Sequence, residues 1–191
     1  MNRKGFTLIE LAIVLVIIGI ILGAVLKGQD IIRNARAKKL IAQVQKWEAF
    51  TWSFVDQKGR FPGDTDKDGV MDDTSPTTEI LDENYTNPPT TSIKLGSTTF
   101  YVKMGYDGND TTPHNLIALC TTSDCDSALG ADGAKYAEFV DTSIDGEANA
   151  TGGMVRAGSD ITVSDNKVTA ATASGNYTDA EAILYFFDKK P

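Results

Sequence analysis

Carboxylates crowd most densely in the run Asp64-Thr65-Asp66-Lys67-Asp68-Gly69-Val70-Met71-Asp72-Asp73. Asp64, Asp66 and Asp68 alternate, so a turning backbone can aim all three at one point. Gly69, at the sixth position, supplies a sharp turn. Val70 follows with a backbone carbonyl, and Asp72 falls at the ninth position. Calcium takes six to eight oxygen ligands, and this order of residue types wraps around it. A full twelve-residue loop would close on a bidentate Glu where Ser75 stands, which leaves Asp73 as the substitute. Carboxylates this close repel one another without a cation, and that favours metal. The plainer alternative is a solvated acidic turn, or an Asx-rich connector with no ion. Ca²⁺ is the cofactor the run suggests; no organic cofactor is expected.

Little else offers chemistry. Cys120 and Cys125 enclose Thr-Thr-Ser-Asp, which is not the Cys-x-x-Cys redox spacing. In an oxidising compartment the pair reads as a structural disulfide fixing a turn, with free thiols as the alternative. His114, the single histidine, follows Pro113 and reads as an exposed loop residue. The acidic turns Asp107-Gly108-Asn109-Asp110 and Asp145-Gly146-Glu147 read as ordinary turn chemistry. No nucleophile–base pair or metal–water site is in view, so catalysis is not expected. A formal charge of −8 over 191 residues argues against a nucleic-acid surface, which needs clustered cations.

Glu10 is the remaining chemically pointed residue. Residues 1–5 are short, polar and cationic, and Phe6–Leu26 follows as about 21 residues of apolar type apart from Thr7, Glu10 and small residues. At about 1.5 Å per residue this run spans the roughly 30 Å hydrocarbon core of a membrane as a helix. It is too long, and runs on too smoothly, for a cleaved secretory signal. A plain anchor would have no use for a carboxylate, which costs up to about 2.5–3.5 kcal/mol inside a bilayer. A cut between Gly5 and Phe6 would create an α-amine able to pair with Glu10 of a neighbouring copy where water is excluded.

The helical pattern continues to about Lys58. Leu40, Val44, Trp47, Thr51 and Phe54 recur at three and four along one face, and Phe50 widens that stripe. These aromatics read as core. Gly19, Gly23 and Gly28 each weaken a helix by about 1 kcal/mol relative to Ala. They fit either a stretch that unwinds in an assembly or close packing between helices. Gly59 to Gly63 stops the helix. Residues 74–92, rich in Thr, Ser, Asn and Pro, read as a surface loop. Beyond them lie short strands: Phe100, Val102 and Met104 share a face, and Leu116–Cys120 is an apolar run. Ile161 and Val163 pair with Val168 across a turn at Asp165-Asn166. Ile183, Tyr185 and Phe187 line one face of a closing strand and Leu184 and Phe186 the other, which places it mid-sheet.

Lys4-Gly5-Phe6-Thr7-Leu8-Ile9-Glu10, with the apolar run through Ile20, resembles the class III prepilin signal of bacterial type IV pilins and type II secretion pseudopilins. The likeness covers about the first 55 residues. It implies cleavage after Gly5 by a prepilin peptidase, N-methylation of Phe6, and neutralisation of that amine by Glu10 of an adjacent subunit. It also implies a type IV pilin-like α+β fold, a long N-terminal helix packed against a C-terminal antiparallel sheet. The parts would be a leader at 1–5, a helix at 6–58 with 6–26 as membrane span and filament core, and a β-rich head at 59–191. The partners implied are copies of the same chain in a helical filament, the inner membrane before assembly, the peptidase and the assembly machinery. The location would be the inner membrane, then an extracellular pilus. A periplasmic pseudopilus is the alternative, as is a minor tip pilin acting as a binding module. Lys27, Arg33, Arg36, Lys38 and Lys39 outnumber Arg3 and Lys4, so charge counting alone would orient the span the other way. The leader requires a cytoplasmic start, which overrides that count.

Overall fold

The computed structural model describes residues 7–109, 111–164, 167–169, 172–173 and 175–188. Gly5, Phe6, Asp110 and the expected turn Asp165-Asn166 lie outside them. The chain forms two units, Met1–Arg36 and Ala37–Pro191. One helix, α1 (Leu8–Lys58), runs without a break through the glycines at 19, 23 and 28. From Leu8 to Arg36 its residues are exposed apart from Gly28. It is long and apolar enough to cross a membrane.

In the second unit α1 buries the face read from its spacing. Leu40, Val44, Trp47, Thr51 and Phe54 are each 0 % exposed, with Ala37 beside them. Trp47 Nε1 donates to the Thr90 carbonyl at 3.0 Å, and Gln43 Nε2 donates to the same carbonyl at 3.1 Å. Lys46 Nζ reaches the Pro88 carbonyl at 3.2 Å. The Asn/Pro-rich segment is therefore tied to the helix.

The structure replaces part of the surface loop expected at 74–92 with a short helix, α2 (Pro76–Asp82). Ser75 caps it by accepting from the Thr78 N–H, and Pro76 sits where a missing N–H costs nothing. Pro76, Thr77 and Ile80 are buried. Ser75, the twelfth residue of the acidic run, is thus a helix cap.

Eight strands follow among the described residues: β1 (Ser92–Leu95), β2 (Thr98–Tyr106), β3 (Asn115–Cys120), β4 (Val155–Ser159), β5 (Thr162–Ser164), β6 (Lys167–Thr169), β7 (Thr172–Ala173) and β8 (Ala182–Phe186). They order β5-β6-β2-β3-β8-β4-β7, and β1 also pairs with β2. Pairing is antiparallel except for β2 with β6. Val163 stands opposite Val168, the pairing the hydrophobic pattern implied. β8 lies between β3 and β4 and is buried throughout. Its alternation divides the core. Ile183, Tyr185 and Phe187 join the cluster under α1 with Phe100, Val102 and Met104. Leu184 and Phe186 join Leu116, Ala118 and both cysteines on the other face.

A third helix, α3 (Gly130–Asp145), interrupts the strands. Ala134, Ala137 and Val140 sink its inner face into the α1-side cluster. The layout is the α+β one of the type IV pilin-like fold: a long N-terminal helix, then a mainly antiparallel sheet.

Candidate functional site

Two places concentrate the polar chemistry: the start of α1 and the acidic loop after its end. At the first, Thr7 occupies the N-cap and Glu10 the third helical position. Glu10 Oε2 accepts from the Thr7 N–H and hydroxyl, both at 2.8 Å, and Thr7 Oγ1 accepts from the Glu10 N–H at 3.3 Å. This reciprocal capping box satisfies donors that open every helix. Glu10 therefore has an intrachain use within a single copy, which sequence reasoning overlooked although Thr-x-x-Glu is legible in it. The box also turns the Glu10 carboxylate back toward the N-terminal end of the helix.

The acidic loop is built from both sides. Gly63, at φ +81°, accepts from the N–H groups of Asp73 and Thr74 at 3.0 and 3.1 Å, so its carbonyl closes the loop. Glu79 of α2 accepts from the Gly63 N–H at 2.5 Å and pairs with Arg60. Burial raises the Glu79 carboxyl, but Arg60 and the Gly63 N–H outweigh it and hold the group below its ordinary range. Asn115, at the head of β3, takes the Met71 N–H at 2.9 Å and donates to the Gly69 carbonyl at 2.8 Å.

Within this frame Asp64 is almost fully buried, and its two oxygens accept the N–H groups of Asp68 and Gly69, each at 3.1 Å. Gly69 takes the turn at φ +94°. Asp73 Oδ2 accepts from the Thr65 N–H and hydroxyl and from the Asp66 N–H. Ligand atoms of Asp64, Asp66 and Asp73 lie within 4.8 Å of one another. Asp68 and Asp72 fall outside that triple. Asp68 Oδ1 instead accepts the Val70 N–H at 2.8 Å, and the Val70 side chain is buried. Oxygen-only donors, one of them buried, suit a hard cation such as calcium. A carboxylate oxygen that accepts an N–H keeps a second lone pair for an ion.

The charges in the loop are unevenly relieved. Asp72 is raised, first by burial and then by Asp68 and Asp73, with Lys167 opposing. Asp73 is lowered by the Thr65 hydroxyl and the N–H groups of Thr65 and Asp66. Lys167, on β6, also donates to the Asp72 carbonyl. It supplies one cation from the protein itself, a partner the sequence did not suggest.

Cys120 and Cys125 are joined as a disulfide and both are buried. His114 is not the exposed residue expected. It is mostly shielded, with Nδ1 2.8 Å from Asp107 Oδ2. Tyr106 pairs with Asn115, so the ends of β2 and β3 bring Asp107 and His114 face to face.

Neither a search of curated proteins nor one of solved structures returns a match to this chain. A family model does match, the prokaryotic N-terminal methylation motif, over residues 1–26. It covers the Gly5/Phe6 junction, the Thr7–Glu10 box and the apolar run, so the chain carries the class III prepilin signal of type IV pilins and pseudopilins.

Proposed function

We propose that the chain is the structural subunit of a type IV pilus filament. Prepilin peptidase removes residues 1–5 and the Phe6 amine is methylated. The subunit waits in the inner membrane, then enters a filament in which Leu8–Leu26 helices pack side by side and the heads tile the outside. The observation that carries this reading is the methylation motif on a helix whose apolar residues find no cover in a single chain: Leu8 is 89 % exposed and Leu26 66 %. Such a surface needs lipid or other copies of itself. Glu10 is the assembly residue, exchanging its contact with Thr7 for the amine of a neighbour. The role is mechanical, without catalysis. Mass spectrometry of the mature protein tests the processing: a chain beginning at N-methylated Phe6 supports it, and an uncut chain in assembled fibres overturns it.

A pseudopilus subunit is the second reading, favoured by the loop that gathers Asp64, Asp66 and Asp73. Under it calcium binds this loop, with Asp68, Val70 and Asp72 completing the shell, and locks the head for assembly. Electron microscopy with a specific antibody separates long surface fibres from short periplasmic ones.

A further inference from the structure

On α3, Asp141 and Asp145 lie one helical turn apart. Asp141 is 0 % exposed. Its Oδ2 accepts the Asn149 N–H at 2.6 Å and the Tyr177 hydroxyl at 2.7 Å. Its Oδ1 is also buried and has no donor. The Asp145 carboxyl, one turn further along the helix, acts on Asp141 through its charge and its side chain. Asp145 Oδ2 in turn accepts the Val155 N–H at 2.8 Å and packs against Gly153, where φ is +84° and a side chain would collide with it. The two carboxyls hold the middle and the far end of the connection from α3 to β4.

Asp141 is buried and Asp145 half-buried, and a bare carboxylate at the first is repelled by the second. A proton between them turns the same contact into a hydrogen bond and satisfies the orphaned oxygen. We infer that the folded chain keeps Asp141 protonated, with the proton on its buried Oδ1 directed at the Asp145 carboxylate, so that the clamp on the α3–β4 connection is tight when Asp141 is protonated and slackens when it is not.

Among the described residues, the groups that face the pair are acidic or neutral side chains. Asp145 and Glu138 come from α3 itself and Tyr177 from the segment before β8. Tyr185, bonded to Glu48 of α1, faces Asp145 from β8. Arg156 of β4 donates through Nε to the Gly153 carbonyl at 3.1 Å, and its guanidinium lies over Phe186 on the other face of the sheet. A cavity of about 150 Å³ lined by Asp145, Glu147, Asn149, Gly152 and Gly153 gives the proton a route to solvent.

Burial pushes the Asp141 carboxyl above its ordinary range; Asp145 adds to the rise, while Tyr177 and Asn149 oppose it. The folded chain then holds a proton that the unfolded chain releases above about pH 4. The stability this contributes is complete below that point and disappears as pH rises through the higher folded value.

Infrared spectra of the full chain in detergent micelles test the pairing. A protonated-carboxyl stretch should persist above the ordinary Asp range and be lost in both Asp141→Asn and Asp145→Asn. Asp141→Asn keeps an acceptor for Tyr177 and Asn149 and offers Asp145 an N–H, so its Tm should gain on the parent protein as pH rises. Absence of the stretch in the parent protein, or its survival in both variants, overturns the inference. Should a variant not fold, the Asp141 carboxyl carbon shift in the parent protein decides: a midpoint in the ordinary Asp range overturns it, and a raised one supports it. Loss of Tm on chelation with no protonated stretch would assign a metal instead and also overturn it.

Discussion

Glu10 has one partner in its own chain and is proposed to have another in the next, and the two uses make different demands. A capping box needs Thr7 as much as Glu10, and losing it costs about 0.5–2 kcal/mol of helix start. An ion pair inside a dry core needs only the carboxylate, and breaking it costs about 3–5 kcal/mol, more than about a hundredfold in an association constant. Thr7→Ala should therefore leave fibre yield near normal, while Glu10→Val should abolish fibres. Equal losses in the two variants, measured as sheared fibre per cell, would reduce Glu10 to a cap. At the acidic loop the competing cation is internal, since Lys167 already opposes the charge on Asp72. Calcium titrated into the full chain in micelles should release binding heat that Asp66→Ala removes, because Asp66 lacks the burial that would keep its carboxylate tied to protein partners. No heat with the parent protein would mean that Lys167 and the loop's own N–H groups suffice.

Elements were legible where large apolar residues repeat. The α1 face announced itself because Leu, Val, Trp and Phe cannot all point at water, and β8 because it is apolar on both sides. Trp47→Ala should lower stability by about 3–5 kcal/mol in denaturant titrations, whereas Trp52→Ala, at a site 39 % exposed, should cost far less. α3 escaped notice because half of its buried face is Gly133, Ala134 and Ala137, with Asp141 beside them, and Thr142 and Ser143 imitate loop composition. α2 carried a start signal in Ser75-Pro76, but its Thr-rich turn read as loop. The acidic loop's motif was visible, while the residues that frame it, Asn115, Lys167 and Glu79, come from distant segments that only the topology brings in. The Arg60–Glu79 pair joins the end of α1 to α2 and has a predictable pH signature. Glu79 sits below its ordinary range, so its contribution is present above about pH 4.5 and is lost as pH falls through the lower folded value. Glu79→Gln should lower Tm at neutral pH, and the gap should narrow toward pH 3. A gap independent of pH would mean that the carboxylate's charge contributes nothing there.

The two units of the chain answer to different solvents. Ala37–Pro191 buries its own core, while the helix residues Leu8–Arg36 bury nothing within a single copy. Stability of Ala37–Pro191 can be measured in one molecule; that of the Leu8–Arg36 helix depends on lipid or on copies. The glycines at 19, 23 and 28 bear on this difference. In the single chain the helix passes through them intact, and a Cβ at any of the three would meet open space. Alanine there should stabilise the isolated helix by about 1 kcal/mol per site. In a filament two outcomes separate. If the glycines allow neighbouring helices to approach, each added Cβ meets a neighbour, and Gly19→Ala or Gly23→Ala blocks assembly. If they let the helix loosen when it leaves the membrane, the variants assemble and only the local backbone changes. The second outcome is expected, because lipid supplies no hydrogen bonds and holds the helix closed, whereas a filament core with polar partners and water near its surface relaxes that demand. Amide exchange on assembled fibres should then be faster across 19–28 than across 8–18, and slowed in the alanine variants. Uniform protection from Leu8 to Lys58 in fibres of the parent protein would leave close packing as the reason for the glycines.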